Sequence, residues 1–301
     1  MSKGVATMAS RQRLLGHVLL YMLYGLVVFC VLLYLTFPYD LLRQRLVASF
    51  AQNDVRLTVS RLRPDFPPGV VLHNVGLVAD LVTLPGTMLQ TSTLHVRPVW
   101  PSLLAGTPHA RLEATLYEGQ WLGEIRSQAT DAAQVWEIQG RFDALQIERH
   151  PWLRHENAAL AHGRLAGDIV LTLHDTGQMQ QGTLNLRSQP VVFGGQGSRL
   201  PLQREITCDT LQSQLKMTQT QLQIVSFLCK GDDLTIQARG TVNWQRPFQE
   251  TGLNLQLQIR SETAYKQELD LIGSLIRRRP DRRGMLSFSI RGTMRQPRFG
   301  A

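Results

Sequence analysis

The sequence predicts a mainly β chain behind one N-terminal membrane-spanning helix, and three observations predict it. Leu14–Phe37 (LLGHVLLYMLYGLVVFCVLLYLTF) runs for 24 residues without Asp, Glu, Lys or Arg. From Asn53 onward apolar and polar residues alternate in segment after segment, which is the period of half-buried strands. Stretches of helical period are few and short. The chain divides accordingly into a tail at 1–13, a transmembrane helix at 14–37, a juxtamembrane amphipathic helix at 38–52 and a β-rich domain at 53–301.

The span comes first. At about 1.5 Å per residue a helix of this length measures roughly 36 Å, enough to cross a hydrocarbon core of about 30 Å with some tilt. Tyr21 and Tyr34 lie toward its two ends, as interfacial aromatics do, and His17 sits near its start. The run is longer than the apolar core of a signal peptide, and no small-x-small cleavage pattern precedes Pro38. Lys3, Arg11 and Arg13 precede it without an acid, which favours a cytoplasmic N-terminus and places the bulk of the chain outside the cytoplasm. Pro38 suits the first turn of a helix. After it Leu42, Leu46 and Phe50 recur every four residues, with Leu41 and Val47 beside them and Arg43, Gln44 and Arg45 opposite. Such a helix either lies on the membrane surface or docks on the core behind it.

Strands follow in order. Val55, Leu57 and Val59 alternate with Arg56, Thr58 and Ser60, and a loop containing Pro64, Pro67, Pro68 and Gly69 leads into Val71–Val78. Leu94 and Val96 open a strand that Pro98 ends; Leu112–Trp121 and Val135–Phe142 continue the pattern. Residues 143–163 break it, with Pro151 placed to start a helix reaching His162. Further strands are predicted at Leu165–His174, Gly182–Ser188, Leu211–Met217, Leu222–Cys229, Leu234–Trp244 and Leu253–Arg260, then a helix at Thr263–Arg278 and a last strand at Met285–Thr293. The clearest face is Leu253, Leu255, Leu257 and Ile259, a candidate apolar groove lining, against Asn254, Gln256, Gln258 and Arg260. Sheets of this kind bury their apolar face as a β-sandwich or barrel, or curl into a trough whose lining something else fills. Periodicity does not choose between them; the sandwich is the commoner solution.

Sites of known chemistry are sparse. His155 and His162 stand seven apart around Glu156, where a zincin helix needs the second histidine three after the glutamate, so a solvated face is the expectation and no metal or cofactor is called for. Gly194-Gly195-Gln196-Gly197 lacks the Lys-Ser/Thr of a phosphate loop, and no Gly-x-Ser-x-Gly elbow occurs, so no catalytic residues are expected. Cys30 lies inside the span. Cys208 and Cys229 flank two successive strands; a hairpin turning at Thr218-Gln219 would set Leu215 opposite Leu222 and Cys208 opposite Cys229, within disulfide reach. Of the net charge of +9, a net of +7 falls between Ser274 and Ala301, where eight arginines accompany one acid. Arg277, Arg278, Arg279, Arg282 and Arg283 form a candidate basic contact patch for headgroups or an acidic partner, while a basic footprint confined to one end argues against nucleic acid.

Several phrases resemble the protein N family of bacterial type II secretion systems, of the delta-proteobacterial type. They are LTFPYDLLRQRL at the end of the span, with Phe37-Pro38-Tyr39-Asp40 the most distinctive piece; PDFPPGVVLHNVGL at Pro64–Leu77; GDDLTIQARGTVNW; and the closing GMLSFSIRGTMRQPRF. That family in turn resembles AsmA-like proteins, anchored in the inner membrane with long curved sheets and an apolar groove associated with lipid movement. The resemblance implies a periplasmic domain with a trough in place of a sandwich, and an accessory role in the secretion apparatus through contacts with its other components. Its rival is an AsmA-like carrier that takes phospholipid into the groove. It carries over no catalytic residue and no cysteine pair.

Overall fold

A computed structural model describes residues 5–51, 55–65, 69–81, 84–129, 134–150, 161–174, 179–193, 205–245, 248–261 and 284–300, with 265, 269–270, 273–274, 276 and 278–281 between the last two. Every strand among them belongs to one open antiparallel sheet. The strands are β1 (Val55–Asp65), β2 (Gly69–Leu81), β3 (Leu84–Pro98), β4 (His109–Leu116), β5 (Gly119–Ala129), β6 (Gln134–Gln146), β7 (Ala161–His174), β8 (Met179–Phe193), β9 (Ile206–Cys208), β10 (Thr210–Thr218), β11 (Gln221–Lys230), β12 (Leu234–Asn243), β13 (Gly252–Ser261), β14 (Met285–Thr293) and β15 (Pro297–Gly300). They pair in chain order from β1 to β15, except that β8 pairs β10 along most of its length and the short β9 at its far end. At about 4.8 Å between neighbours, the 14 strands on that path make a sheet roughly 60 Å across. No second sheet packs on it among the described residues, so the sandwich is not the architecture.

Among the described residues the helices with defined bounds are α1 (Val5–Thr36), α2 (Tyr39–Ala51) and α3 (Trp100–Leu104). Proline has no N–H to continue a helix and disfavours helical geometry in the residue before it, so α1 stops ahead of Phe37-Pro38. α2 then leaves at 53° to α1. No single helix among the described residues is long and apolar enough to cross a membrane, though Leu19–Tyr34 and Tyr39–Ala48 together have the length and composition. α2 does not lie free on a surface. Its Tyr39 and Leu46 pack on Leu57, Val59, Leu62, Leu72 and Val75 of β1 and β2, and the Arg43 guanidinium donates to the carbonyls of Val59 and Ser60 at 3.2 and 3.3 Å.

Several strand boundaries differ from the alternation. Val55–Asp65 runs through Pro64, which the edge strand β1 tolerates because no third strand needs its N–H. Leu112–Trp121 is two strands, because Tyr117 and Glu118 both take positive φ (46° and 64°) and close a two-residue hairpin with Leu116 opposite Gly119. The helix predicted from Pro151 falls on 151–160, outside the described residues, and Ala161 and His162 already belong to β7. In the predicted Thr263–Arg278 helix, Leu269, Asp270, Gly273 and Ser274 are helical, and Leu269 N–H donates to the Tyr265 carbonyl at 2.9 Å.

Candidate apolar groove

Because directly paired residues point to the same side of a sheet, the registers map its two faces. One row runs Leu62, Leu72, Leu94, Ala114, Trp121 and Phe142, then continues through Gly167, Leu186, Ser213, Phe227, Ala238 and Leu257 to Phe288. The next row runs Val70, Val96, Leu112, Gly123, Gly140 and Ile169, then Leu184, Leu215, Ile224, Gly240, Leu255 and Ile290. A third, from Ala110 through Ile125, Ile138 and Leu171 to Met217, Leu222, Val242 and Leu253, is equally free of charge. The opposite face is polar. There Asp168 accepts from Arg141 and Arg187 at 2.9 and 3.0 Å, and Glu124 is ringed by Arg126, His109 and Arg111.

Cover on the apolar face is uneven. α2 buries its β1–β3 end, and Leu269, with Tyr265 and Ile276 beside it, buries the β12–β14 end against Leu234, Ile259, Leu286 and Phe288. Between those ends, Ile125, Ile138, Ile169, Leu171, Leu184, Leu215, Leu222 and Ile224 are only half-buried. Their exposure is that of a lining, not of a core. The predicted groove residues Leu253, Leu255 and Leu257 are half-buried on the same face, and Ile259 is buried under the cover at the distal end.

Glycines shape this lining. A Cβ on Gly123 would stand 2.8 Å from the Trp121 ring, and one on Gly140 2.6 Å from Trp121 Nε1. One on Gly167 would stand 2.7 Å from Phe142 Cζ. The two aromatic rings therefore occupy the space their glycine neighbours leave, which presents flat apolar surface where side chains would otherwise stand up. Single glycines inside separate strands (Gly123, Gly140, Gly167, Gly182 and Gly240) were the available signal for this, masked by their resemblance to ordinary turn residues. A concavity of about 820 Å³ lies elsewhere, on the polar side, and is bordered by Trp100, His95, Arg111, Leu122, Glu124 and Arg141.

The other predicted site residues separate into three places. Cys208 and Cys229 are bonded, with Cα atoms 5.4 Å apart, but not as opposed hairpin residues. The hairpin sets Met217 opposite Leu222 and Leu215 opposite Ile224; a bulge then shifts the register so that Leu211 faces Cys229. A bend at Asp209 gives Cys208 to β9, opposite Val191. The bond thus ties the side strand β9 to β11 within a buried cluster with Val191. Phe37, Pro38, Tyr39 and Asp40 build the corner between α1 and α2: Tyr39 makes edge contacts with Tyr34 and Phe37 and donates to the Tyr34 carbonyl at 2.7 Å, while exposed Asp40 stands 3.8 Å from Arg43. Of the basic patch, Arg278 and Arg279 are exposed; Arg277, Arg282 and Arg283 lie outside the described residues. Among the described residues no group of three His, Cys, Asp or Glu could hold a metal ion. His155 and Glu156 lie outside them, and His162 is exposed on β7.

Compared with protein-family models, with curated proteins and with solved structures, the chain matches none.

Proposed function

We propose that the chain is a membrane-anchored protein of the bacterial inner membrane whose sheet forms an AsmA-like trough on the periplasmic side and holds the acyl chains of phospholipid. The observation that carries the reading is the apolar face, free of charge in three successive rows, on which Ile125, Ile138, Ile169, Leu171, Leu184, Leu215, Leu222 and Ile224 are half-buried although Leu112, Ala114 and Phe142 beside them are buried. Water in contact with such a lining is unfavourable, and each methylene moved from water onto it is worth about 0.8 kcal/mol. A lipid arriving from a bilayer exchanges one apolar surrounding for another, so loading and release are both near neutral, as a carrier requires. The membrane segment in this reading is the apolar part of α1, which together with α2 beyond the bend has the length and composition of a span, and whose Leu19, Tyr21, Met22, Leu23 and Phe29 are each at least 60 % exposed around the helix.

The test is native mass spectrometry of the full chain released from mild detergent. Phospholipid is expected to stay bound to the native chain and to be lost from Ile138→Glu and Leu184→Glu. A lipid-free native chain, or retention by both variants, would sink the carrier reading.

The second reading, an accessory component of a type II secretion system, draws on the distal edge. β15 is four residues long and pairs Ser289–Gly292 of β14; no strand among the described residues pairs its outer side, and Phe299 is 51 % exposed. Arg291 stands directly opposite Arg298 there, a like-charge pair that an acidic added strand would relieve. A photo-crosslinker replacing Phe299 in cells should capture a secretion subunit; capture of none counts against this reading alone.

A further inference from the structure

We propose that α3 is a second membrane contact, an interfacial foot that seats one rim of the sheet on the bilayer. The inference rests on α1 spanning the membrane, as proposed above. Its first ground is composition: Val99–Pro108 (VWPSLLAGTP) contains no charged residue. Its second is exposure, since Trp100 is 51 %, Leu103 38 % and Leu104 88 % exposed, and α3 buries no residue at all. A five-residue helix joining β3 and β4 needs no such side chains to make its turn. Tryptophan beside leucine on an exposed turn is the chemistry of the membrane interface, where the ring sits at headgroup level and the aliphatic groups reach below it.

The third ground identifies the occupant as lipid. α3 is tied to the end of α1 through one residue, Asp65. The Tyr34 hydroxyl, near the C-terminus of α1, lies 2.6 Å from the carbonyl oxygens of Asp65 and Gly69 and can donate to either. The Asp65 carboxylate bonds His95 Nδ1 at 2.8 Å and stands 3.6 Å from Arg97, on the strand that enters α3. The point where α1 leaves the membrane and the Trp100–Leu104 turn therefore share one rim, with β1–β3 between them, two strand spacings or about 10 Å. A foot at that distance from the anchor holds the sheet at a set angle, where a single span alone would let it swivel.

The experiment uses the full chain in phospholipid nanodiscs. Single cysteines replace Val27, Leu104 or Asp232 in a Cys30→Ser background, each carrying an environment-sensitive fluorophore; Asp232 lies in the turn between β11 and β12, on the opposite rim. Lipids with a nitroxide near the headgroup should quench the label at 104 several-fold more strongly than that at 232, and lipids with a deep nitroxide should quench the label at 27. A label at 104 no more quenched than that at 232, with 27 quenched, overturns the foot and leaves the span. A label at 27 that lipid does not quench overturns the span and the foot with it. A label at 104 that is blue-shifted but unquenched means that protein covers α3, which also overturns the foot.

Discussion

Asp65, Glu124 and Asp168 show how single residues keep the polar face in register. Asp65 on β1 meets His95 and Arg97 of β3, Glu124 meets Arg126 of its own strand and His109 and Arg111 of β4, and Asp168 is shared between Arg141 of β6 and Arg187 of β8. Each carboxyl is held below its ordinary range, Asp65 chiefly by the His95 hydrogen bond, Glu124 by Arg126 and Asp168 by Arg141. A carboxyl whose folded pKa is depressed stabilises the fold above its unfolded pKa and ceases to as pH falls through the folded value. Stability is therefore predicted to be flat in this respect at neutral pH and to decline with acidification, beginning near pH 4, about the unfolded carboxylate pKa. Part of that decline should vanish in Asp168→Asn. Thermal melts across acid pH measure it; an unchanged acid slope in the variant would show that the shared carboxylate contributes nothing. All three groups are partly exposed, so each contribution is small.

Elements differ in whether anything covers them. Leu286 on β14 is 1 % exposed beneath Leu269, whereas Leu255 on β13, between Gly240 and Ile290, is half-buried. Leu286→Asp would bury an unpaired carboxylate at a cost of several kcal/mol and should abolish the cooperative unfolding transition. Leu255→Asp leaves its carboxylate in reach of water and should keep that transition. Loss of the transition in both would mean that the lining at β13 is a closed core. β9 is held by the Cys208–Cys229 bond, whose 21-residue separation corresponds to about 3 kcal/mol on the chain-entropy account. Cys208→Ser with Cys229→Ser is expected to lower the melting temperature and free β9 from β11, with the rest of the sheet intact. Peptide mapping without reductant should recover the linked pair from the native chain; quantitative alkylation of both thiols would reject the bond.

At the largest scale the described strands form a strand-after-strand meander whose two outermost strands are β1 and β15. α2 packs on the apolar face at β1 and β2, and the Arg43 guanidinium takes up the carbonyls of Val59 and Ser60, so a strand added along that part of β1 would have to compete with it. At the other end of the strand order, no strand among the described residues pairs the outer side of β15. With α1 as a span and the basic tail inside, a reporter active only after export, fused after Gly300, is predicted to be active. Signal from a cytoplasm-dependent reporter at the same place would reverse the topology.

Strand placement was legible because alternation is a local property: each residue's side of a sheet follows from its neighbours in the chain. Thus the leucines of 253–259 could be assigned to one face from their alternation with Asn254, Gln256 and Gln258 alone. Where local signals and long-range pairing diverge, only the tertiary structure decided. Neither central residue of the Tyr117-Glu118 turn is the glycine or asparagine that positive φ favours, and the bulge before Phe227 and the bend at Asp209, which moved Cys208 off its expected partner, depend on register across three strands. An open sheet and a sandwich demand the same alternating strands; what separates them is whether a second layer arrives. That is set by how the ends are covered, by α2 and by Leu269, and by the absence of a second sheet on the face between them among the described residues.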